Sequence, residues 1–221
     1  PFDTKFFTPT KISVSLLVGY YAIMALLDGD MGIVSVLCFT FSINAIKEDE
    51  CELAGILLAF STMKYGLMLF PIIWIIIWCA ANQKGTVISW FFMVLFLLVL
   101  AAALLKTDWV IEFFRSIIYY YKYMKPSYFA KMIENWQPEL GGRIGWGFSA
   151  ALIFITVIEF IVNANRDFRA FVWLLSLTIV ITFLSGIPSI GKNIFLLWIP
   201  GVYSLNSIVL RWKRVGKKII L

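Results

Sequence analysis

From Val87 to Leu105 the chain runs without one charged side chain, and it repeats such stretches along most of its length. A bilayer core about 30 Å thick takes about 20 helical residues to cross. Inside it, only segments that satisfy their own backbone hydrogen bonds persist. Apolar runs occupy 12–27, 31–46, 53–81, 87–105, 146–162, 170–187 and 194–210. Apolar residues make up 61% of the 221 and charged residues 14%, whereas a soluble domain is about half apolar. So little polar material cannot coat an aqueous surface. The pattern predicts an all-α, polytopic transmembrane helix bundle in a single domain, 1–221. It has six full spans plus a split helix pair.

The split pair is read from 53–81, which is too long for one straight span and carries Lys64-Tyr65-Gly66 and then Pro71 in its interior. A lone ammonium at the centre of a membrane helix costs about 2.5–3.5 kcal/mol on insertion scales. Two short helices, 53–63 and 66–81, are therefore expected to meet at an irregular turn facing a cavity, because irregular backbone is not tolerated against lipid. Between the spans, 106–145 forms a long segment. Phe113, Phe114, Ile117, Ile118 and Tyr121 recur at helical spacing, with Glu112, Arg115 and Lys122 off that face. Beyond Pro126 a second stripe joins Tyr128, Phe129, Met132, Ile133 and Trp136. Two amphipathic helices lying in the membrane interface are expected.

The tail, 211–221, carries Arg211, Lys213, Arg214, Lys217 and Lys218 and no acid. Excess Lys and Arg mark the cytoplasmic side, so the C-terminus is predicted cytoplasmic and the 106–145 segment external. The same placement explains the net charge of +6 as interface anchors against anionic lipid rather than a nucleic-acid surface. Histidine is absent, which removes the commonest general base and His-dependent triads. Cys38, Cys51 and Cys79 have no metal-ligand spacing. No cofactor is expected, and membrane lipids are the expected surroundings.

The residues able to carry chemistry are few. Asp28 and Asp30 flank Gly29 where two runs meet; either can accept a proton, hold a cation or bind sugar hydroxyls, or simply serve a solvated turn. Lys64 needs an anion, either a lipid phosphate or a carboxylate, and Glu159 inside 146–162 is one available acid. Arg143, after Gly141-Gly142, and Lys192, after Gly191, can clamp phosphate or anchor helix ends. Under the predicted topology Asp30, Lys64, Arg143 and Lys192 share the outer half of the bundle.

Residues 29–77, including Gly29-Asp30, Ala54-Gly55-Ile56-Leu57-Leu58 and Lys64-Tyr65, resemble the core of the GT-C membrane glycosyltransferases. The likeness is to glycosyltransferase family 87, which includes the polyprenol-dependent mannosyltransferases. Asn135, Gln137, Leu140 and Arg143 are similar to that family's external segment, and 183–205 to its last outer turn and helix. The resemblance implies transfer of a sugar from a polyprenyl-phosphate donor to a lipid or glycan acceptor at the outer face. Lys64, Arg143 and Lys192 would contact the donor phosphate. The family's catalytic aspartate lies in its first external loop, a position the resemblance sets ahead of Pro1, as though the N-terminal part were missing. Asp30 is then the candidate base within this chain. The family usually has Gln at Asp30 and often Pro at Tyr65. Two other classes remain open: a non-catalytic membrane subunit of a larger complex, and a small-molecule transporter whose broken helix at Lys64 lines the binding site.

Overall fold

A computed structural model of the chain describes residues 23–24, 27–123, 134–135, 137, 141–163, 168–184 and 197–201. Among these residues the regular structure is entirely helical: α1 (Gly32–Lys47), α2 (Cys51–Ser61), a 3-10 turn (Thr62–Lys64), α3 (Tyr65–Ala81), α4 (Gly85–Leu105), α5 (Trp109–Tyr123), α6 (Gly141–Asn163) and α7 (Phe168–Leu184). The break expected inside 53–81 falls at the 3-10 turn. Most of the first and last predicted runs, the second interfacial stripe and the basic tail lie outside the described residues.

Two of these helices have the length and composition to cross a membrane, α4 with 21 residues and the Arg143–Val162 stretch of α6 with 20. Length alone does not separate such helices from the core of a soluble protein, but burial does. Only 11% of the α4 stretch and 22% of the α6 stretch are buried. Phe92, Phe96, Leu97 and Leu104 on α4, and Phe154, Ile155 and Ile161 on α6, face outward. Long apolar helices with uncovered apolar side chains belong in lipid, and the protein has membrane character accordingly. α1 and α3, with 16 and 17 residues, are apolar but reach only about 24–26 Å at 1.5 Å per residue. Of the six full spans expected, two are of full length among the described residues.

Packing centres on α2, which lies between α1 and α4. The Ser42 hydroxyl donates to the Ala54 carbonyl at 2.9 Å, a buried link between α1 and α2. One residue on, Gly55 takes the backbone of α4 at close range. A Cβ there would stand 2.6 Å from the Val87 carbonyl oxygen, 2.7 Å from the Trp90 Cβ and 3.0 Å from the Phe91 nitrogen. The small residue lets the two helices touch along their first turns, as small residues do where membrane helices cross. On the other side α7 packs against α3 and α6 through rings: Trp74 stacks on Phe160 at 4.3 Å, Trp78 on Phe171 at 4.5 Å.

α1 and α3 stop in the same way. Each ends in a residue held at positive φ, Asp49 at 66° and Gln83 at 59°. In each turn an N–H reaches back to the carbonyl five residues earlier, Glu50 to Ala45 at 2.9 Å and Lys84 to Cys79 at 2.8 Å. These are Schellman closures built without glycine. They bring Lys84 beside the end of α1, where its ammonium donates to the Ile46 carbonyl at 2.9 Å and to Asp49 Oδ1 at 2.6 Å. It also lies 5.9 Å from the centre of the Trp78 ring. One cation thus ties the start of α4 to the ends of α1 and α3.

Gly55→Ala is expected to push α2 from α4 and to lower stability by about 1–3 kcal/mol, the usual cost of overpacking. Gly147→Ala meets open space and should not. Thermal unfolding of both variants in detergent checks the contrast, and a Gly55→Ala protein as stable as wild type contradicts it. Acid provides a second check. The hydrogen bond from Lys84, and then its charge, hold the Asp49 carboxyl below the ordinary carboxylate range. A carboxyl depressed in the fold stabilises above its unfolded pKa, and that contribution drains as pH falls through the lower native value. Wild type should therefore lose stability more steeply than Asp49→Asn below about pH 4, near the unperturbed aspartate value. Parallel pH–stability curves would refute the assignment.

Candidate functional site

The end of the bundle opposite Lys84 is where α1 begins and α2 stops. Asp28-Gly29-Asp30 enters α1 through Gly29 at φ +68°, a left-handed turn that glycine adopts without strain. Asp30 then accepts the Gly32 N–H on Oδ1 at 2.8 Å, covering one of the unpaired donors at the start of α1. At the other side, the Ser61 hydroxyl donates to the Leu58 carbonyl at 2.6 Å and that of Thr62 to the Ala59 carbonyl at 2.7 Å. These bonds accompany the tightening from α-helix to 3-10 turn. Lys64 closes the turn in a non-helical conformation, φ −114° and ψ 68°, and α3 departs from it.

The result is a close ion pair. Lys64 Nζ lies 2.5 Å from both Asp30 oxygens. The two side chains are only 29% and 16% exposed, so the pair is shielded from bulk solvent and its attraction is correspondingly stronger than that of a surface bridge. Asp30 and Lys64, 34 residues apart, are the two sequence candidates the fold brings together. The anion that Lys64 requires is a carboxylate of this chain. It is Asp30 and not Glu159, which sits exposed near the far end of α6.

The remaining candidates are distributed differently. Arg143 stands exposed in the first turn of α6. Trp74–Phe160 contact puts the end of α6 beside the second half of α3, so the start of α6 lies toward the Lys64 end. Asp28 is exposed in its turn. Lys192 and Leu140 lie outside the described residues. Gly55, in the Ala-Gly-x-Leu-Leu stretch, serves the α2–α4 crossing, a packing role that accounts for its presence without a ligand. Also toward the Lys64 end, α5 follows α4 with an ion pair between Lys106 and Glu112. Trp109 stacks on Phe113 at 5.3 Å, and Ile111, Phe114 and Ile118 stay exposed. This is the amphipathic helix the sequence predicts, and it packs lightly on α4.

Sequence reasoning missed Lys84. Its signal was present in an acidic turn, Glu48-Asp49-Glu50, facing a single basic residue after a helix end, but that pattern is too common to single out. No group of three or more potential metal ligands occurs among the described residues.

Chemically, the pair offers a cation and a carboxylate at one point, at a helix break. An anion arriving there can take over the ammonium and release the carboxylate. Comparison of the chain with models of protein families, with curated proteins and with solved structures finds no match.

A double-mutant cycle measures the pair directly. Asp30→Asn or Lys64→Met alone strands a half-buried charge, while the double variant removes both. The coupling energy should be about 1–3 kcal/mol, read from denaturation in mixed micelles. Strict additivity would mean that the pair does not hold the turn.

Proposed function

We propose that the chain is a polytopic membrane glycosyltransferase of the GT-C kind, with its C-terminus cytoplasmic. It transfers a sugar from a polyprenyl-phosphate donor to a lipid or glycan acceptor at the outer face. The observation that carries this reading is the ion pair itself: a cation and a carboxylate joined at an irregular turn in an otherwise apolar bundle. Intramembrane charge is expensive and is retained where it does something.

In this reading the donor phosphate exchanges places with Asp30 on the Lys64 ammonium, with Arg143 and Lys192 as further phosphate contacts. Asp30, relieved of its partner, accepts the proton of the acceptor hydroxyl. The acceptor oxygen forms the new glycosidic bond at the anomeric carbon while the bond from that carbon to the phosphate oxygen breaks. Polyprenyl phosphate departs with the electron pair, and the configuration inverts. The amphipathic α5 supports the same reading as a helix lying where a long isoprenoid chain enters from the leaflet.

A second reading, a non-catalytic subunit of a larger membrane complex, is favoured by the uncovered apolar residues Ile111, Phe114 and Ile118 of α5. One assay separates the two. Purified protein in vesicles containing a radiolabelled polyprenyl-phosphate sugar should release labelled glycosylated acceptor, with Lys64→Gln and Asp30→Asn each lowering the rate by at least about a hundredfold, the usual span of a lost acid–base contribution. Unchanged transfer by folded Lys64→Gln protein removes the phosphate role. No transfer by wild type favours the subunit.

A further inference from the structure

The Asp30–Lys64 pair is shielded but not sealed. Part of the Lys64 side chain stays exposed, and the residues that flank the pair along the chain, Leu27, Met31 and Met63, are apolar and uncovered. An anion can reach the ammonium from outside, and one with an apolar body finds apolar side chains to cover.

Such an anion meets an ammonium that is already occupied. Lys64 Nζ lies 2.5 Å from each Asp30 oxygen, so the carboxylate takes the place that the ligand's own oxygens need. Two anions at contact distance repel one another, and Asp30 and a ligand therefore compete for the one cation. The fold leaves the exchange open. Asp30 also accepts the Gly32 N–H on Oδ1 at 2.8 Å, a bond that does not involve Lys64. A carboxylate that gives up the ammonium can keep this bond while the ammonium takes the incoming oxygens, so no donor is stranded at the cost of an unmade hydrogen bond.

We propose that Asp30 is a built-in competitor that holds the Lys64 anion site shut, and that a phosphate monoester on an apolar chain opens the site by displacing it. The proposal rests on the phosphate contact assigned to Lys64 in the transfer reading and adds its regulation. The carboxylate that weakens donor binding is the one freed for acid–base work once the donor is bound.

Binding of radiolabelled dodecyl phosphate to the purified protein in nonionic detergent tests this without any transfer step, with labelled inorganic phosphate as the arm that lacks the apolar chain. Asp30→Asn keeps an oxygen for the Gly32 N–H and removes the competing charge. It should bind dodecyl phosphate about fivefold to 150-fold more tightly than wild type, the usual span of a coupling between two sites. Asp30→Ser, which can also cap the helix start, takes its place if that variant does not fold. Lys64→Gln should bind more weakly than wild type, and inorganic phosphate more weakly than the ester in wild type and Asp30→Asn. Equal or weaker binding by folded Asp30→Asn, with both it and wild type above Lys64→Gln, overturns the competition and leaves the phosphate contact standing. Equal binding by all three proteins overturns the phosphate contact and the competition with it. Inorganic phosphate bound as tightly as the ester overturns the part given to the apolar chain.

Discussion

An ammonium group within a run of apolar residues has to be neutralised, and the end of the bundle around Lys64 is organised by how that is done. Asp30 supplies the countercharge from the entry to α1, so the end of α2 and the start of α1 are fixed to one another across 34 residues of chain. The same carboxylate covers the Gly32 N–H. A single side chain therefore caps one helix, pairs the cation at the end of another and fixes where α3 sets out. The pair is made at the helix break, where the 3-10 turn Thr62–Lys64 ends in the non-helical backbone of Lys64. The Ser61 and Thr62 hydroxyls, bonded to carbonyls three residues back, hold the chain in the tighter turn.

The opposite end solves the same problem with different chemistry. There the cation is Lys84, and its partners are a backbone carbonyl, an exposed Asp49 and an indole face. Asp49 is 80% exposed as a side chain, against 16% for Asp30. Solvent screens the Lys84 pair and leaves the Lys64 pair comparatively unscreened. The Lys84 end is held chiefly by backbone closure, with the two Schellman turns and the Gly55 crossing doing most of the fixing. The Lys64 end depends on a side-chain contact. A contact between two side chains can be exchanged for a contact with a ligand, whereas a backbone closure cannot be exchanged without unwinding the helix.

Much of the architecture could be read from residue order. The charge-free run that becomes α4 and the Lys64 interruption that becomes the 3-10 turn both follow from the cost of polar groups in hydrocarbon, and so does the one-sided aromatic pattern of α5. The partner of Lys64 was not legible in the same way. Glu159 and Asp30 were both within reach in principle, and only the antiparallel return of α2 beside α1 decides between them. Gly55 was read as part of a family-like motif, but its surroundings explain it through a helix crossing that spacing alone cannot reveal. Of the six full spans expected, two are of full length among the described residues, and apolar runs of 16 or 17 residues look alike in sequence whether they cross a bilayer or fall short of it.

The difference in length between the helices bears on what the bundle can accommodate. α4 and α6 match a full hydrocarbon thickness, while α1 and α3 are several ångströms shorter and α2, with 11 residues, is shorter still. Asp30 and Lys64 lie at turns that end short helices, and their side chains are 16% and 29% exposed, so the burial of the pair comes from the protein around it. An anion that replaces Asp30 on the ammonium has to shed much of its own water to do so, and that cost is lower for an anion already carried on an apolar body.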